Sequence, residues 1–157
     1  MTLTGHYERS LDEKRRLALP KRLREDFAAD DLASFFLAPG MDGSICLYDA
    51  TEFGHYASRL NAAAATDPRH RHFVRMFYAQ AERVELDKQG RIRIPDRLAD
   101  FAQLDRDVML VGVMDHAEIW DRQRWKEFLQ TYSEEFDSLA SQILGGEIPG
   151  MAPPTEN

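Results

Sequence analysis

Two five-residue stretches concentrate the residues best suited to chemistry, Asp12-Glu13-Lys14-Arg15-Arg16 and Asp87-Lys88-Gln89-Gly90-Arg91. Each places a carboxylate four residues before an arginine, with a lysine between them. Arginine offers a planar fork of donors that fits a guanine edge bidentately, and both arginine and lysine neutralise phosphates. At the tip of a turn, Lys14, Arg15 and Arg16, and more weakly Lys88 and Arg91, can enter a DNA groove; the same residues also suit a solvated loop. Asp12 and Asp87 sit where negative charge repels phosphate, so a structural task is expected of them. A carboxylate at the start of a turn accepts turn N–H groups and holds a loop arginine in place.

Other chemistries find little support. His70 and His72 are two apart, which on a helix points them to different faces, and no cysteine or carboxylate is spaced to complete a zinc site with them. Cys46, the single cysteine, falls in an apolar stretch and reads as a small core residue. There is no Gly-rich phosphate loop, no Gly-x-Ser-x-Gly and no His-Glu-x-x-His. No catalytic residue, metal or cofactor is expected.

Composition frames these candidates. At 157 residues, with 43% hydrophobic and 30% charged side chains, the chain is expected to fold as a globular protein with a sizeable core. No apolar run approaches the ~20 residues of a membrane span, the N-terminus lacks a secretory pattern, and a lone cysteine makes no internal disulfide, so a cytoplasmic protein without membrane partners is expected. The net charge of −7 argues against a surface that attracts nucleic acid everywhere. Charge is segregated, however. Arg9 to Arg24 carries seven basic and two acidic residues, whereas Asp121 to Asn157 carries three basic and seven acidic.

An internal repeat must position the two basic stretches. Leu11 to Leu23 aligns with Leu86 to Leu98 at an offset of 75 residues, with Leu, Asp, Arg, Pro, Arg and Leu in register. In Val84-Glu-Leu86 and Arg91-Ile92-Arg93-Ile94 apolar residues alternate across a turn, which predicts a β-hairpin with Val84, Leu86, Ile92 and Ile94 inward and Arg91 and Arg93 outward. Pro20 and Pro95 end the strands and open short helices that carry Leu23 and Phe27, or Leu98 and Phe101, inward. Strand pairs follow at 34–38 with 44–48 and at 108–112 with 117–120. Asp49 before Glu52 predicts a capped amphipathic helix, and Asp121 before Arg124 a weaker counterpart. Thr66-Asp67-Pro68 opens a helix packing through Phe73, Val74, Phe77 and Tyr78, with Arg69, Arg71 and Arg75 outside. This divides the chain into a first module with its helix at 5–60, a helical connection at 61–82, a second module with a C-terminal helix at 83–144, and a disordered Gly/Pro tail at 145–157.

The paired Asp-x-x-x-Arg loops, each followed by an aliphatic strand and proline, and the stretch Val108-Met-Leu-Val-Gly-Val-Met-Asp-His-Ala-Glu-Ile-Trp120 resemble MraZ. That is a family of bacterial transcriptional regulators built from two AbrB-like swapped-hairpin modules, and the resemblance runs from about Gly5 to Trp125. It implies an α+β fold with a mainly β core, a double-psi-like barrel, with amphipathic helices on the outside. It also implies a nucleoid-associated regulator of the division and cell-wall gene cluster, including its own promoter, whose ring-shaped homo-oligomer binds direct repeats in double-stranded DNA. Two positions depart from the family pattern: Arg15 stands where the pattern has glycine, as at Gly90, and the opening Phe-Arg-Gly is Leu3-Thr4-Gly5. An AbrB-like antitoxin or transition regulator and a non-DNA oligomeric scaffold are the alternative functions. The first module, with the denser basic cluster, is expected to bind, and the second to pack or assist.

Overall fold

The computed structural model describes residues 2–27, 34–61 and 66–145. In chain order the elements are β1 (His6–Ser10), β2 (Arg16–Ala18), α1 (Lys21–Asp26), β3 (Ser34–Pro39), β4 (Ile45–Tyr48), α2 (Ala50–Asn61) and α3 (Pro68–Gln80). They continue with β5 (Glu82–Glu85), β6 (Arg91–Arg93), α4 (Asp96–Phe101), β7 (Asp107–Val113), β8 (His116–Asp121), α5 (Arg122–Tyr132) and α6 (Phe136–Leu144). The α+β class with a mainly β core is the one read from the sequence. The chain divides into two compact units, Met1–Arg122 and Gln123–Asn157. The tail expected to be disordered lies, from residue 146 onward, outside the described residues. Among the described residues no helix is long and apolar enough to cross a membrane.

Six strands form one antiparallel sheet in the order β1-β7-β8-β4-β3-β5, and β2 pairs with β6 in a separate ribbon. The sheet is open rather than a closed barrel. Its order is palindromic under the repeat: exchanging β1 with β5, β3 with β7 and β4 with β8 reproduces it reversed. A pseudo-two-fold axis therefore passes between β4 and β8, and each half supplies a strand to the edge of the other. This corrects the expected local hairpin. β5 leaves the Asp87 turn to pair with β3, while β6 pairs with β2. The alternation of apolar residues satisfies either partner, and the exchanged pairing buries both halves against each other.

One face of the sheet carries the core. Phe35, Leu37, Ile45, Leu47, Val108, Leu110 and Ile119 cluster with Leu17 and Ile92 from the ribbon and with Leu23 and Leu98 from α1 and α4. Pro20 and Pro95 occupy the N-cap positions of α1 and α4, one residue before the first helical position. Phe101, expected inward, is 41% exposed, while Ala99 and Ala102 fill the core side of that short helix. The other sheet face meets aromatic residues of α2 and α3. Phe36 stacks on Phe53 with ring centroids 4.4 Å apart, and Tyr56 on Phe77 at 5.0 Å. Both helices start as their sequences dictate: Asp49 accepts from the Glu52 amide at 2.8 Å, and Asp67 accepts from the Arg69 amide at 2.9 Å with Pro68 behind it. Asp121 accepts from the Asp105 amide at 3.2 Å, tying the loop before β7.

In the second unit, α5 and α6 carry an apolar set, Leu129, Tyr132, Phe136, Leu139, Ile143 and Leu144, all exposed.

Candidate nucleic-acid interface

The two Asp-x-x-x-Arg turns are built by the same hydrogen bonds. In the first, Asp12 Oδ1 accepts from the amides of Lys14 at 2.9 Å and Arg16 at 2.8 Å, and Oδ2 accepts from Arg16 Nε at 2.5 Å. In the second, Asp87 Oδ1 accepts from the amides of Gln89 at 2.9 Å and Arg91 at 3.0 Å, and Oδ2 from Arg91 Nε at 2.8 Å. The Arg16 amide, working against partial burial and joined by the Arg16 guanidinium and the Lys14 amide, holds the Asp12 carboxyl below its usual range. Asp87 is lowered in the same way by Arg91 and Gln89. Both aspartates are thus braces of their turns.

The turns are completed by a left-handed residue at equivalent positions, Arg15 at φ 56° and Gly90 at φ 74°. Arg15 therefore adopts the conformation glycine would supply, at a cost of roughly 1–2 kcal/mol. Its guanidinium reaches across to α4, 3.3 Å from Asp96 Oδ1 and 3.9 Å from Asp100 Oδ1. Gly90 is buried under Arg24, where a Cβ would lie 3.2 Å from the guanidinium carbon. The axis relating the turns is visible in two reciprocal bonds: the Leu19 amide donates to Gly90 O at 3.0 Å, and the Ile94 amide to Arg15 O at 2.9 Å.

Between the turns lies the β2–β6 ribbon, with Arg16 opposite Arg93, Leu17 opposite Ile92 and Ala18 opposite Arg91. Alternation sends Leu17 and Ile92 into the core and turns Arg16, Arg91 and Arg93 outward on one face. Asp12 Oδ2 touches both loop arginines, Arg16 Nε at 2.5 Å and Arg91 Nη1 at 3.7 Å, which offsets repulsion between like charges. Lys14 and Lys88 are exposed at the two turn tips. Among the described residues no ion pair holds Lys14, Lys88 or Arg93. Of the residues singled out in the sequence, Lys14, Arg16, Lys88 and Arg91 are thus brought to one ribbon, whereas Arg15 is drawn toward α4. Arg93 joins them without having been singled out. Its outward position is legible from alternation, but its place beside Arg16 depends on the pairing of distant strands.

An antiparallel ribbon with a basic outer face, carried on a duplicated and strand-exchanged α+β core, defines a class of tandem-module protein. A family model described as "MraZ protein, putative antitoxin-like" matches the chain twice, at residues 2–76 and 77–144. Curated relatives named "Transcriptional regulator MraZ" include one from Moorella thermoacetica, 34% identical over 144 residues, which span 92% of this chain and 98% of the relative. Another, from Lactiplantibacillus plantarum, is 39% identical over 140 residues, 89% of this chain and 96% of the relative. A third, from Clostridium botulinum, is 36% identical over 139 residues, 88% and 94%. The chain belongs to the MraZ family.

Proposed function

We propose that this protein is a cytoplasmic transcriptional regulator that binds duplex DNA through the outer face of the β2–β6 ribbon and its two turn tips. The observation that carries the reading is the clustering of Arg16, Arg91 and Arg93 on one ribbon face, flanked by exposed Lys14 and Lys88, in a chain whose net charge is −7. A two-stranded ribbon fits the major groove, where arginine reads guanine and lysine neutralises phosphate. The names of the curated relatives support the regulatory role. Arg16 and Arg91 are oriented by Asp12 and Asp87, so they meet DNA with little further loss of side-chain freedom. Arg15 serves chiefly to hold the first turn against α4.

One ribbon on an acidic chain binds weakly; several held together bind by avidity. The exposed apolar residues of α5 and α6 support self-association. The resemblance supports a ring that sets adjacent ribbons on direct repeats upstream of the division and cell-wall genes, including the protein's own gene, in the nucleoid. A gel-shift titration with that upstream region against a scrambled duplex tests the reading. Preference for the native sequence is expected, and equal binding to both duplexes contradicts it.

A further inference from the structure

On the sheet face turned away from the ribbon, strand register gathers three side chains of metal-ligating type. Cys46 on β4 lies directly opposite Glu118 on β8, and His116 stands two residues before Glu118, so all three project from the same face. The pseudo-two-fold axis runs between them: one half of the chain contributes the thiol, the other the imidazole and the carboxylate. One donor atom from each falls within 4.8 Å of the other two, and His116 Nε2 is 3.9 Å from Glu118 Oε2. Cys46 is buried, and His116 and Glu118 are partly buried.

The surroundings orient these groups. Asp115 Oδ1 is 2.7 Å from His116 Nδ1, which therefore donates to that carboxylate, and Nε2 is the nitrogen turned toward the cluster, the one that gives up its proton when an ion binds. Ser44 Oγ and Trp120 Nε1 donate to the two oxygens of Glu118, each at 3.4 Å. Tyr48 packs its ring against His116 with centroids 5.2 Å apart. Gly40 leaves room beside the sulfur, since a Cβ there would lie 2.8 Å from Cys46 Sγ.

We infer that Cys46, His116 and Glu118 form a three-ligand site for a borderline-soft divalent cation of the zinc class, with the fourth position open to water or an added ligand. Around a tetrahedral zinc, donors at about 2.0–2.3 Å from the metal sit roughly 3.3–3.6 Å apart. The present spacing closes to that by movements of about 1 Å, within reach of side-chain torsions. A carboxylate on the far imidazole nitrogen is the support that ligating histidines generally have. The thiolate selects such an ion over magnesium or calcium. A bound ion would join the two halves of the chain across their axis and stabilise the fold by mass action.

The test uses the full chain stripped with a chelator and titrated with Co²⁺ as a spectroscopic stand-in. A sulfur-to-cobalt charge-transfer band saturating at one equivalent per chain, displaced by Zn²⁺ and insensitive to Mg²⁺, is expected. Cys46→Ser, checked for its fold by circular dichroism, loses the band. Asp115→Asn keeps it but binds about 10–100-fold more weakly. Because Cys46 is the only thiol, saturating Zn²⁺ also slows its alkylation in the unmutated protein, which gives a readout independent of variant folding. Absence of the band in excess Co²⁺, its persistence in a folded Cys46→Ser chain, or an alkylation rate unchanged by Zn²⁺ overturns the inference.

Discussion

Exchanging the left-handed residues of the two turns separates backbone geometry from side-chain interactions. Arg15 and Gly90 occupy equivalent positions at φ 56° and 74°. Gly90→Ala imposes a left-handed non-glycine residue, roughly 1–2 kcal/mol, and recovers about 0.4–1 kcal/mol through a stiffer unfolded chain. Its Cβ meets only the mobile end of Arg24 at 3.2 Å, so the net loss is about 1 kcal/mol. Arg15→Gly releases the same strain. It gives up about 0.5–1 kcal/mol of chain entropy and an exposed ion pair with Asp96 worth about 0–1 kcal/mol, so its terms nearly cancel. With a urea m-value of about 1–3 kcal/mol/M, Gly90→Ala lowers the unfolding midpoint by about 0.3–1 M, while Arg15→Gly moves it much less. If Arg15→Gly falls as far as Gly90→Ala, the ion pairs with Asp96 and Asp100 set the first turn rather than its backbone. An unchanged Gly90→Ala midpoint refutes the strain argument itself.

Two further outcomes follow from the same geometry. Leu17→Ala, at a fully buried position directly beneath the ribbon, removes core packing and costs about 2–5 kcal/mol; thermal unfolding that matches the parent contradicts the placement of the ribbon on the core. Asp12 and Asp87 both have folded pKa values below the ordinary 3.8. Their support of the turns is therefore complete above that value and is lost as pH falls through the lowered folded values. Amide resonances of Lys14 and Gln89, which donate to these carboxylates, are expected to hold steady above pH 3.8 and titrate below it; a titration centred above that value contradicts the bracing role.

What can be read in the sequence is what is local. The Asp brace, the proline stop and the aliphatic alternation all lie within one 13-residue copy, and the 75-residue offset shows that copy twice. The core assignments of Leu17, Ile92, Leu23 and Leu98 follow from alternation and helical spacing alone. Strand partnership does not. The alternation around Asp87 is satisfied equally by a hairpin and by exchange, so β5 and β6 are expected to pair and instead part company. Arg93 and Arg16 become neighbours only through that exchange. The same holds for Cys46 and Glu118, 72 residues apart in sequence, which the β4–β8 register sets face to face. Phe101 is expected inward because it follows Leu98 by three, yet the helix ends there and Ala102 takes the core position instead.

The central claim, that the ribbon face meets the phosphate backbone, is tested most directly by the salt dependence of DNA affinity. Lys14, Lys88 and Arg93 are the right positions to change, because they are exposed and their side chains brace no turn. For the Lys14→Gln/Lys88→Gln/Arg93→Gln chain, the slope of log affinity against log salt is expected to flatten by roughly 0.9 for each phosphate no longer neutralised, with unfolding unchanged. A slope equal to that of the parent protein contradicts the claim and moves the DNA-binding surface elsewhere on the molecule.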